Sequence, residues 1–496
     1  MGGTSINTIK KEPFTLEQLT PYTWEVSKNQ KQGMLVPARI YATQKLLEGM
    51  DLQVFDQITN VACLPGIQFP VMAMADAHSG YGAPVGAVFA TDPKEEGVIS
   101  PGAVGYDINC SMKVLRTNLD VKEVRPKIQQ LIDILFKTVS PGVGAKSTLK
   151  LSKNDLDDIS TEGVKWCLDN GLAWESDKSV IEENGKIKGA NIDKVSDMAK
   201  QRGLKQIGTL GSGNHYLEIQ YIASPDHVYD KETAKVYGVS EPGQVAIMWH
   251  CGSRGFGHQI CTDYSTEFVS VMKKQDITVK DRQLACARFD SQEGQDYFEA
   301  MKCAINFSYV NKQVITHRVR EAFEKVFGKT AEEMGMDAVY DVAHNTAKLE
   351  KYKIDGKTKE LVVHRKGATR SFGPGNSEIP LKYQKVGQPV IVGGSMETGS
   401  YLLAGTRKAE EETFGSTLHG AGRVMSRTQG AREFQGETLL KDMAKKGIFV
   451  KSVSMKGLAE EAGACYKDLE SVVDCMEGAG ISKRVTLLKP LGNVKG

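Results

Sequence analysis

The sequence predicts an α+β protein in which mixed β-sheets are surrounded by helices. Short apolar stretches, such as VAIMW before His250 and PVIV before Gly393, run into glycine-rich loops, which is typical of buried strands. Longer polar stretches with helical character separate these strands. No internal repeat, low-complexity linker or clear boundary divides the chain. We therefore expect residues 1–496 to form a single domain.

Five stretches predict helices, and a strand is expected after the last of them. The first two helical stretches form an excursion near 120–205, and REAFEKVF in the third is amphipathic. The terminal segment RVTLLKPLGNVKG predicts a strand. The helical stretches are 118–138, 155–205, 278–328 (two or more helices), 437–447 and 456–480.

Composition excludes several classes of protein. The formal net charge of the 496 residues is only +2, so a polyanion would need a local basic patch. The nine cysteines are scattered without a CxxC pair, which favours a reducing compartment. The N-terminal MGGTSINTIKKEPF has no apolar core, and Ile6 breaks the myristoylation pattern. No run of 18 apolar residues occurs. We expect a cytoplasmic protein that does not associate with membranes.

Most of the nine histidines lie in glycine-rich or polar loops. A single buried histidine is more often a hydrogen-bonded core residue than a ligand. Several histidines beside Gly, Asn, Arg or Asp favour a metal or catalytic site instead. His227 and His317 lie in charged stretches outside this group. The histidines in such loops are His78, His215, His250, His258, His344, His364 and His419.

The segment GYDINCS places Asp107 and Cys110 three residues apart. A carboxylate and a thiolate at this spacing can reach one metal ion, and a thiolate can bridge two ions. Alternatively, Asp107 caps a turn and Cys110 is a small buried hydrophobic residue. Ligand softness favours zinc, although a carboxylate with imidazoles also suits manganese.

Several loops carry signals for phosphate binding. The small residues of STLHGAGR allow close approach of the backbone to a phosphate, but His419 stands where a lysine is usual. Arg254 lies in HCGSRGFGHQ, and HRKGATR contains Arg365, Lys366 and Arg370. Arginine binds phosphate in a bidentate fashion. Each loop alone predicts a solvated charge, whereas together they favour a polyphosphate or an RNA backbone.

Two short matches to nucleotide-binding motifs are misleading. GVGAKS resembles a phosphate-binding loop, but Ala145 replaces the glycine that precedes the lysine. KIDG resembles the core of lysine-dependent nucleotidyltransferases around Lys353. Its polar surroundings, with Asp355-Gly356 at the centre, predict a β-hairpin.

Seven motifs together resemble the RtcB family of RNA-splicing ligases. The resemblance runs from about residue 20 to residue 496, and the terminal ACYKD and VKG fit it as well. The motifs are VGYDINCSMK, GTLGSGNHYLEIQ, HCGSRGFGHQ, YDVAHNTAK, VHRKGATR, GQPVIVGGSM and STLHGAGR.

The resemblance implies an enzyme that joins RNA 3′-phosphate or 2′,3′-cyclic phosphate ends to 5′-hydroxyl ends with GTP and manganese. A histidine, here matched by His419, takes GMP covalently. GMP then passes to the RNA 3′-phosphate, and the 5′-hydroxyl attacks this capped end. A histidine with an ordinary pKa near 6.5 is largely neutral at pH 7, whereas a lysine near 10.4 must first lose a proton.

The resemblance also implies two sets of binding residues. The implied manganese ligands, with Cys110 bridging two ions, are Asp107, Cys110, His215, His250 and His344. The implied guanylate-binding residues, with Tyr466 near the guanine, are Asn214, His215, Tyr216, Leu217, Glu218, His344, Asn345, Gly393, Gly394, Ser395, Met396, Ser400, His419, Gly420, Ala421, Gly422, Tyr466 and Lys495.

The sequence departs from the usual pattern of the family at five positions, none of which is an implied ligand or nucleophile. Glu397 adds a negative charge close to the expected guanylate pocket and bears on nucleotide affinity. The departures are Ala75, Ser111, Met112, Cys251 and Glu397.

Two other functions compete with the ligase. A binuclear phosphoesterase would need the same metal ligands but no covalent histidine. An RNA-binding scaffold with a decayed site would have lost some of these residues, and none is lost. The RNA could be tRNA halves, cleaved RNA under repair or 3′-phosphate ends to be capped, and an archease-type activating protein is a further candidate partner.

Overall fold

The computed structural model describes residues 7–496, so Ile6 and the five residues before it lie outside the described part. Helices and strands both contribute, as predicted for an α+β protein. The strands are β1 (Thr8–Lys11), β2 (Phe14–Thr20), β3 (Thr23–Val26), β4 (Ala38–Tyr41), β5 (Ile67–His78), β6 (Val85–Thr91), β7 (Val98–Ile99), β8 (Ser111–Asp120), β9 (Tyr216–Tyr221), β10 (Gln244–Cys251), β11 (Ala287–Arg288), β12 (Ala338–Ala343), β13 (Asn345–Ile354), β14 (Lys357–Lys366), β15 (Ala368–Arg370), β16 (Pro389–Gly393), β17 (Ser400–Gly405), β18 (Ser416–Leu418), β19 (Phe449–Ser452) and β20 (Ser482–Lys495).

Helices of very different length surround these strands. They are α1 (Gln44–Glu48), α2 (Leu52–Val61), α3 (Pro101–Val104), α4 (Val121–Val124), α5 (Ile128–Thr138), α6 (Lys153–Glu162), α7 (Val164–Asp169), α8 (Glu175–Lys178), α9 (Asp197–Gly203), α10 (Lys231–Tyr237), α11 (Arg254–Lys274), α12 (Gln292–Phe327), α13 (Arg407–Glu412), α14 (Arg427–Glu433), α15 (Gly436–Lys445), α16 (Met455–Glu460) and α17 (Leu469–Gly478). None of those in the described part of the chain combines the length and the apolar composition that a bilayer crossing requires.

Two eight-stranded sheets form the centre of the molecule. The first has the order β1-β2-β3-β4-β5-β6-β14-β13, and only β4 and β5 pair in parallel. The second has the order β12-β8-β10-β9-β20-β17-β16, with β19 parallel to β20 at one side. The chain passes from the second sheet to the first between β12 and β13, where His344 is the only intervening residue. His344 therefore lies at the junction of the two sheets.

The central strands are buried along nearly their whole length. In β10 the residues VAIMWHC are all buried, as expected for a strand that is covered on both faces. A cluster of buried side chains joins the two sheets and includes Met72 and Val363 from the first and Val392 and Leu403 from the second. The sheets therefore pack directly against each other beside the His344 junction.

The predicted hairpin around KIDG is confirmed. Strands β13 and β14 pair in register from Asn345 to Lys366, and Asp355 and Gly356 form the turn. Both turn residues have positive φ, +50° and +78°, as a tight hairpin turn requires. Lys353 is exposed in this hairpin.

The stretch 278–328 differs from its prediction, because it contains one long helix rather than two or more. Ser291 caps α12, and Gly328 ends it with a left-handed φ of +66°. No proline and no glycine occurs between Gln295 and Phe327, so nothing interrupts the backbone hydrogen bonds.

Three other predicted helical stretches are shorter or broken. Strand β8 continues to Asp120, which then caps α4, so the helices of 118–138 begin only at Val121. The stretch 155–205 consists of separate short helices, with a break at Gly163, whose φ is +58°. The stretch 456–480 is interrupted after Glu460 and resumes at Leu469. The helix near 437–447 and the last strand are as predicted.

Candidate metal and nucleotide site

Five neighbouring strands of the second sheet place polar residues at one edge. Strands β8 and β9 begin at this edge, and β10, β12 and β20 end there. His250 lies opposite both Met112 and Tyr216, and Lys495 also lies opposite Tyr216. Because antiparallel neighbours alternate in direction, residues that are far apart in sequence meet. The residues brought to this edge are Asp107, Cys110, His215, His250, His344 and Lys495.

The five implied metal ligands converge on two overlapping groups. The Cys110 Sγ lies 3.0 Å from His250 Nε2 and 3.4 Å from His215 Nε2. His250 Nε2 lies 3.1 Å from His344 Nε2, and His215 Nε2 lies 2.8 Å from Asp107 Oδ2. One group is Cys110, His250 and His344, and the other is Asp107, Cys110 and His215. Cys110 belongs to both, as expected of a bridging thiolate.

Hydrogen bonds fix the orientation of two of these histidines. The Nδ1 of His215 lies 3.1 Å from the Leu210 carbonyl oxygen, and the Nδ1 of His250 lies 3.1 Å from that of Asn214. A carbonyl oxygen only accepts, so we assign the proton to Nδ1 in each ring. Each Nε2 then directs its lone pair into the group, which is the arrangement found in metal-binding histidines.

The electrostatics of the group fit cations. Burial lowers the pKa of His250 and of His344 well below the ordinary value. Burial would raise the pKa of Asp107, but His215 and Arg254 hold it at about 2, so the carboxylate is ionised at neutral pH. Lone pairs thus face one another within hydrogen-bond distance. A cation between them removes this repulsion, and imidazole, carboxylate and thiolate together suit a divalent transition metal.

His419 lies beside this group but makes a different contact. It follows β18, and its Nδ1 is 2.6 Å from Asp76 Oδ2 on β5. The same oxygen accepts from the backbone N–H groups of His419 and Gly420, at 3.0 and 3.2 Å. The ring centroids of His344 and His419 are 4.9 Å apart. Among residues 7–496, Nε2 of His419 has no hydrogen-bond partner, which leaves it available as a nucleophile.

Asp76 was missed by sequence reasoning. It is completely buried, and burial alone would raise its pKa. The charge and hydrogen bonds of His419 outweigh this effect and hold the pKa below its ordinary value. The available signal was a single carboxylate within the apolar stretch VMAMADAH, because such a residue needs a buried partner.

Gly422 allows the His419 loop to approach β5. Its φ is +74°, and a Cβ atom at this position would lie 2.0 Å from the Asp76 carbonyl oxygen. Only glycine combines this backbone conformation with such a close contact. The small residues of STLHGAGR therefore hold His419 against Asp76, in addition to leaving room for a ligand.

The two metal-ligand groups and His419 line one cavity of about 610 Å³. Leu217 and Ser400 do not line it, since Leu217 lies in the hydrophobic core and Ser400 accepts a hydrogen bond from Gln220. The other implied guanylate-binding residues do line it, namely Asn214, His215, Tyr216, Glu218, His344, Asn345, Gly393, Gly394, Ser395, Met396, His419, Gly420, Ala421, Gly422, Tyr466 and Lys495.

Two buried carboxyl groups also line this cavity. Glu461, which was also missed, lies 3.1 Å from Lys495 Nζ and 3.2 Å from Arg423 Nη1, and it accepts a hydrogen bond from the Tyr466 hydroxyl. Burial raises the pKa of Glu218 to about 7, although Gln220, Lys495 and Asn493 oppose this shift. The break in the predicted 456–480 helix is what brings Glu461 and Tyr466 to the cavity.

Some of the residues that sequence patterns singled out lie elsewhere. His364 is buried in β14 and stacks on Phe89 with ring centroids 4.4 Å apart. Arg365 pairs with Glu350 at 2.6 Å and Arg370 with Glu182 at 2.9 Å, so neither cation is free for phosphate. Lys366 lines the cavity, but it donates to backbone carbonyl groups, one of them that of Ala83 at 3.0 Å. The GVGAKS segment lies in the loop between α5 and α6 and opens no helix.

The unusual residues leave the predicted ligands in place. Cys251 directs its Sγ to the Leu210 carbonyl oxygen at 2.9 Å and belongs to neither metal-ligand group. Ser111 donates to the Asn109 carbonyl oxygen at 3.1 Å. Glu397 does not line the cavity, and Lys446 neutralises its charge at 2.5 Å. Glu397 therefore does not place its negative charge in the guanylate pocket, contrary to expectation.

Comparison with known proteins places this arrangement in a family. A family model described as tRNA-splicing ligase RtcB matches residues 57–496. A protein of Archaeoglobus fulgidus named tRNA-splicing ligase RtcB is 50% identical over 481 residues, which cover 97% of this chain and 99% of the relative. A protein of the same name from Thermococcus kodakarensis is 49% identical over 487 residues, covering 98% and 100%. The chain therefore belongs to the RtcB family.

Proposed function

We propose that the protein is a GTP- and manganese-dependent RNA ligase of tRNA splicing or RNA repair. It would join a 3′-phosphate or 2′,3′-cyclic phosphate end to a 5′-hydroxyl end through a guanylylated histidine and a 3′-guanylate-capped RNA. The observation that carries this proposal is His419, held by Asp76 at the edge of the metal-ligand groups. The names of the relatives support the RNA ligase class.

In the first step His419 acts as the nucleophile toward GTP. Its Nε2 forms a bond to the α-phosphorus, and the bond to pyrophosphate breaks. The Nδ1 proton stays hydrogen-bonded to Asp76, whose negative charge stabilises the positive charge that develops on the ring. Held by Asp107, Cys110, His215, His250 and His344, two manganese ions would neutralise charge on the reacting phosphates.

A 2′,3′-cyclic end is first opened by water, which breaks the bond between phosphorus and the 2′-oxygen and leaves a 3′-phosphate with a 2′-hydroxyl. Two further transfers then complete the reaction. An oxygen of the RNA 3′-phosphate attacks the phosphorus of the adduct, the N–P bond breaks, and His419 is regenerated. The 5′-hydroxyl of the second RNA then attacks the 3′-phosphorus and GMP leaves, so the attacking hydroxyl loses one proton to solvent or a nearby base. Lys495 and Arg423 also line the cavity, where both pair with Glu461.

The test is formation of a covalent adduct from GTP labelled at the α-phosphorus. After chelation and addition of manganese, we expect a labelled protein on a denaturing gel, with the label stable in mild alkali and lost in acid. Peptide mass spectrometry should map it to His419, and His419→Ala should form none. Lys353→Ala is the matched control and should behave as the wild type. An adduct at Lys353 would contradict the histidine mechanism.

The same assay separates the remaining alternatives. Full activity with zinc alone and none with manganese would contradict the choice of metal. Release of phosphate from RNA ends without any adduct would instead identify a phosphoesterase. Joining that stops after one round, and resumes with an added archease-type protein, would identify the need for an activating partner.

A further inference from the structure

Three aromatic rings form one part of the cavity wall next to Asp107. We call Tyr81, Tyr106 and His258 the aromatic ledge. Tyr81 lies between β5 and β6, Tyr106 lies between α3 and β8, and His258 lies in the second turn of α11. The rings of Tyr106 and His258 stack with centroids 4.8 Å apart and planes 30° apart. Tyr81 meets Tyr106 edge-on at 5.2 Å.

The ledge is open to solvent, unlike the aromatic clusters of the core. His258 is exposed, and Tyr81 and Tyr106 are half-buried. By contrast, the stacked rings of Phe256 on α11 and Phe307 on α12 are completely buried. None of the three ledge residues belongs to the metal-ligand groups or to the His419 contact. The ledge therefore has no role in the chemistry described above.

Two arginines flank the ledge on the same cavity wall. Arg202 is exposed on α9 and donates to Gln259 at 2.9 Å, and Arg254 donates to the Thr209 hydroxyl at 3.2 Å. Neither forms an ion pair with a carboxylate within residues 7–496. Arg365 and Arg370, in contrast, are buried and paired. Positive charge beside accessible rings is the combination by which proteins bind single-stranded nucleic acid.

We propose that the aromatic ledge is a stacking subsite for the terminal base of an RNA end, with Arg202 and Arg254 near its phosphates. This inference rests on the proposed function. The faces of these rings offer an unpaired base a surface on which to stack, and RNA ends carry such bases. The position of Tyr106, directly before the ligand Asp107, places the subsite where an RNA end would reach the metal ions.

The first experiment changes the outermost ring. His258→Ala should raise the KM for RNA in the joining reaction by about tenfold, the size expected for the loss of one stacked base. It should leave formation of the GTP adduct within about twofold of the wild type. His258→Phe should restore the KM, because it keeps an aromatic face. Tyr229→Ala is the matched control, since Tyr229 is an exposed ring that pairs with Tyr401 away from the cavity.

The second experiment removes the base instead of the ring. RNA with an abasic terminal nucleotide on the 3′-phosphate strand, or on the 5′-hydroxyl strand, is joined by the wild type and by His258→Ala. For the strand whose base stacks on the ledge, the abasic end should cost the wild type about tenfold in KM and cost His258→Ala nothing further. The strand that shows this behaviour identifies which end the ledge holds.

Two outcomes would overturn the ledge. One is an abasic penalty of equal size in the wild type and in His258→Ala for both strands. The other is a His258→Phe variant as weak as His258→Ala, which would assign His258 a polar role. Fluorescence anisotropy of a labelled 3′-phosphate oligonucleotide provides a readout that needs no GTP. Failure of the wild type to form the GTP adduct, with this binding intact, would contradict the proposed function and leave the ledge standing.

Discussion

The two sheets hold their functional histidines in different ways. At the edge of the second sheet, His215 and His250 each contact a backbone carbonyl oxygen through Nδ1. At the first sheet, His419 contacts the carboxylate of Asp76 through Nδ1. A carbonyl fixes the neutral ring with its lone pair toward a cation, whereas a carboxylate stabilises a ring that becomes positive when Nε2 bonds to phosphorus. The contact at Nδ1 therefore fits the metal-ligand role proposed for His215 and His250 and the nucleophilic role proposed for His419.

Two buried carboxyl groups of the cavity region also differ, in the direction in which their pKa is shifted. The pKa of Asp76 is held below its ordinary value, because His419 outweighs the effect of burial. The pKa of Glu218 is raised to about 7, because burial outweighs the contacts with Gln220, Lys495 and Asn493. Lys495 itself is already paired with Glu461. Hydrogen bonds from His419 and the nearby charge of Lys467 thus favour the ionised form of Asp76, whereas burial favours the protonated form of Glu218.

The largest effect is expected from removal of the atom that both ligand groups share. Cys110→Ala should abolish adduct formation and also the sealing of RNA that already carries a 3′-guanylate cap, because both steps need the metal ions. Loss of the side chain should cost only about 1 kcal/mol of unfolding free energy. Urea unfolding and the two activity assays measure this. Cys251→Ser is the control, and near-normal ligation by a folded Cys110→Ala protein would show that Cys110 is not a ligand.

A smaller and more selective loss is expected at the first sheet. Asp76→Asn keeps the shape and the backbone contacts but removes the charge behind His419. We expect adduct formation to fall by about 10²–10⁴-fold. Sealing of pre-capped RNA and metal binding should stay near the wild-type level, because neither needs a nucleophilic His419. Stopped assays with labelled GTP and with capped RNA separate the two steps, and an equal loss in both would remove the distinction between the two regions.

The smallest effect concerns stability and pH. The folded pKa of Glu218 lies above that of the unfolded chain, so the native state binds more protons and stability falls as pH rises from about 4.5 to about 7. The full effect is about 3 kcal/mol. Glu218→Gln should therefore lose less unfolding free energy than the wild type between pH 5 and pH 8. Asp76→Asn should show the wild-type slope in this range, because a lowered pKa acts only at more acidic pH. Parallel wild-type and Glu218→Gln slopes would show that Glu218 is ionised when folded.

The cluster of residues that could hold a metal ion could be predicted from the sequence, because each of them lies in or directly beside a glycine-rich or polar loop with its own chemical signature. The apolar stretch around Asp76 indicated that this carboxylate needs a buried partner, but the partner itself could not be predicted, because His419 lies 343 residues away. Arg365 and Arg370 were wrongly predicted to bind phosphate for the same reason, because the carboxylates that pair with them are recognisable only in the folded chain. The strands and the hairpin could be predicted from local sequence patterns, whereas the pairing of buried charged side chains could be recognised only in the tertiary structure.

The sequence did not predict that α12 is one long helix, and the reason is the composition of its buried face. Many polar side chains along this helix are buried, among them Asn306, Asn311 and Lys312. Asn311 donates to the Thr209 and Gly252 carbonyl oxygens, and so ties the loop before His215 to the segment that follows His250. A polar face that is buried does not produce the apolar stripe by which helices are recognised in a sequence.

The place of β20 in the second sheet has a consequence for how the chain folds during synthesis. This strand lies between β9 and β17, so residues 216–221 and 400–405 are joined only through residues 482–495. A ribosome must therefore release the chain beyond residue 495 before the sheet can close. Until then, the edges of β9 and β17 that pair with β20 in the native sheet are exposed and available for incorrect strand pairing. Folding of the first sheet can begin much earlier, whereas the second sheet must wait for nearly the whole chain.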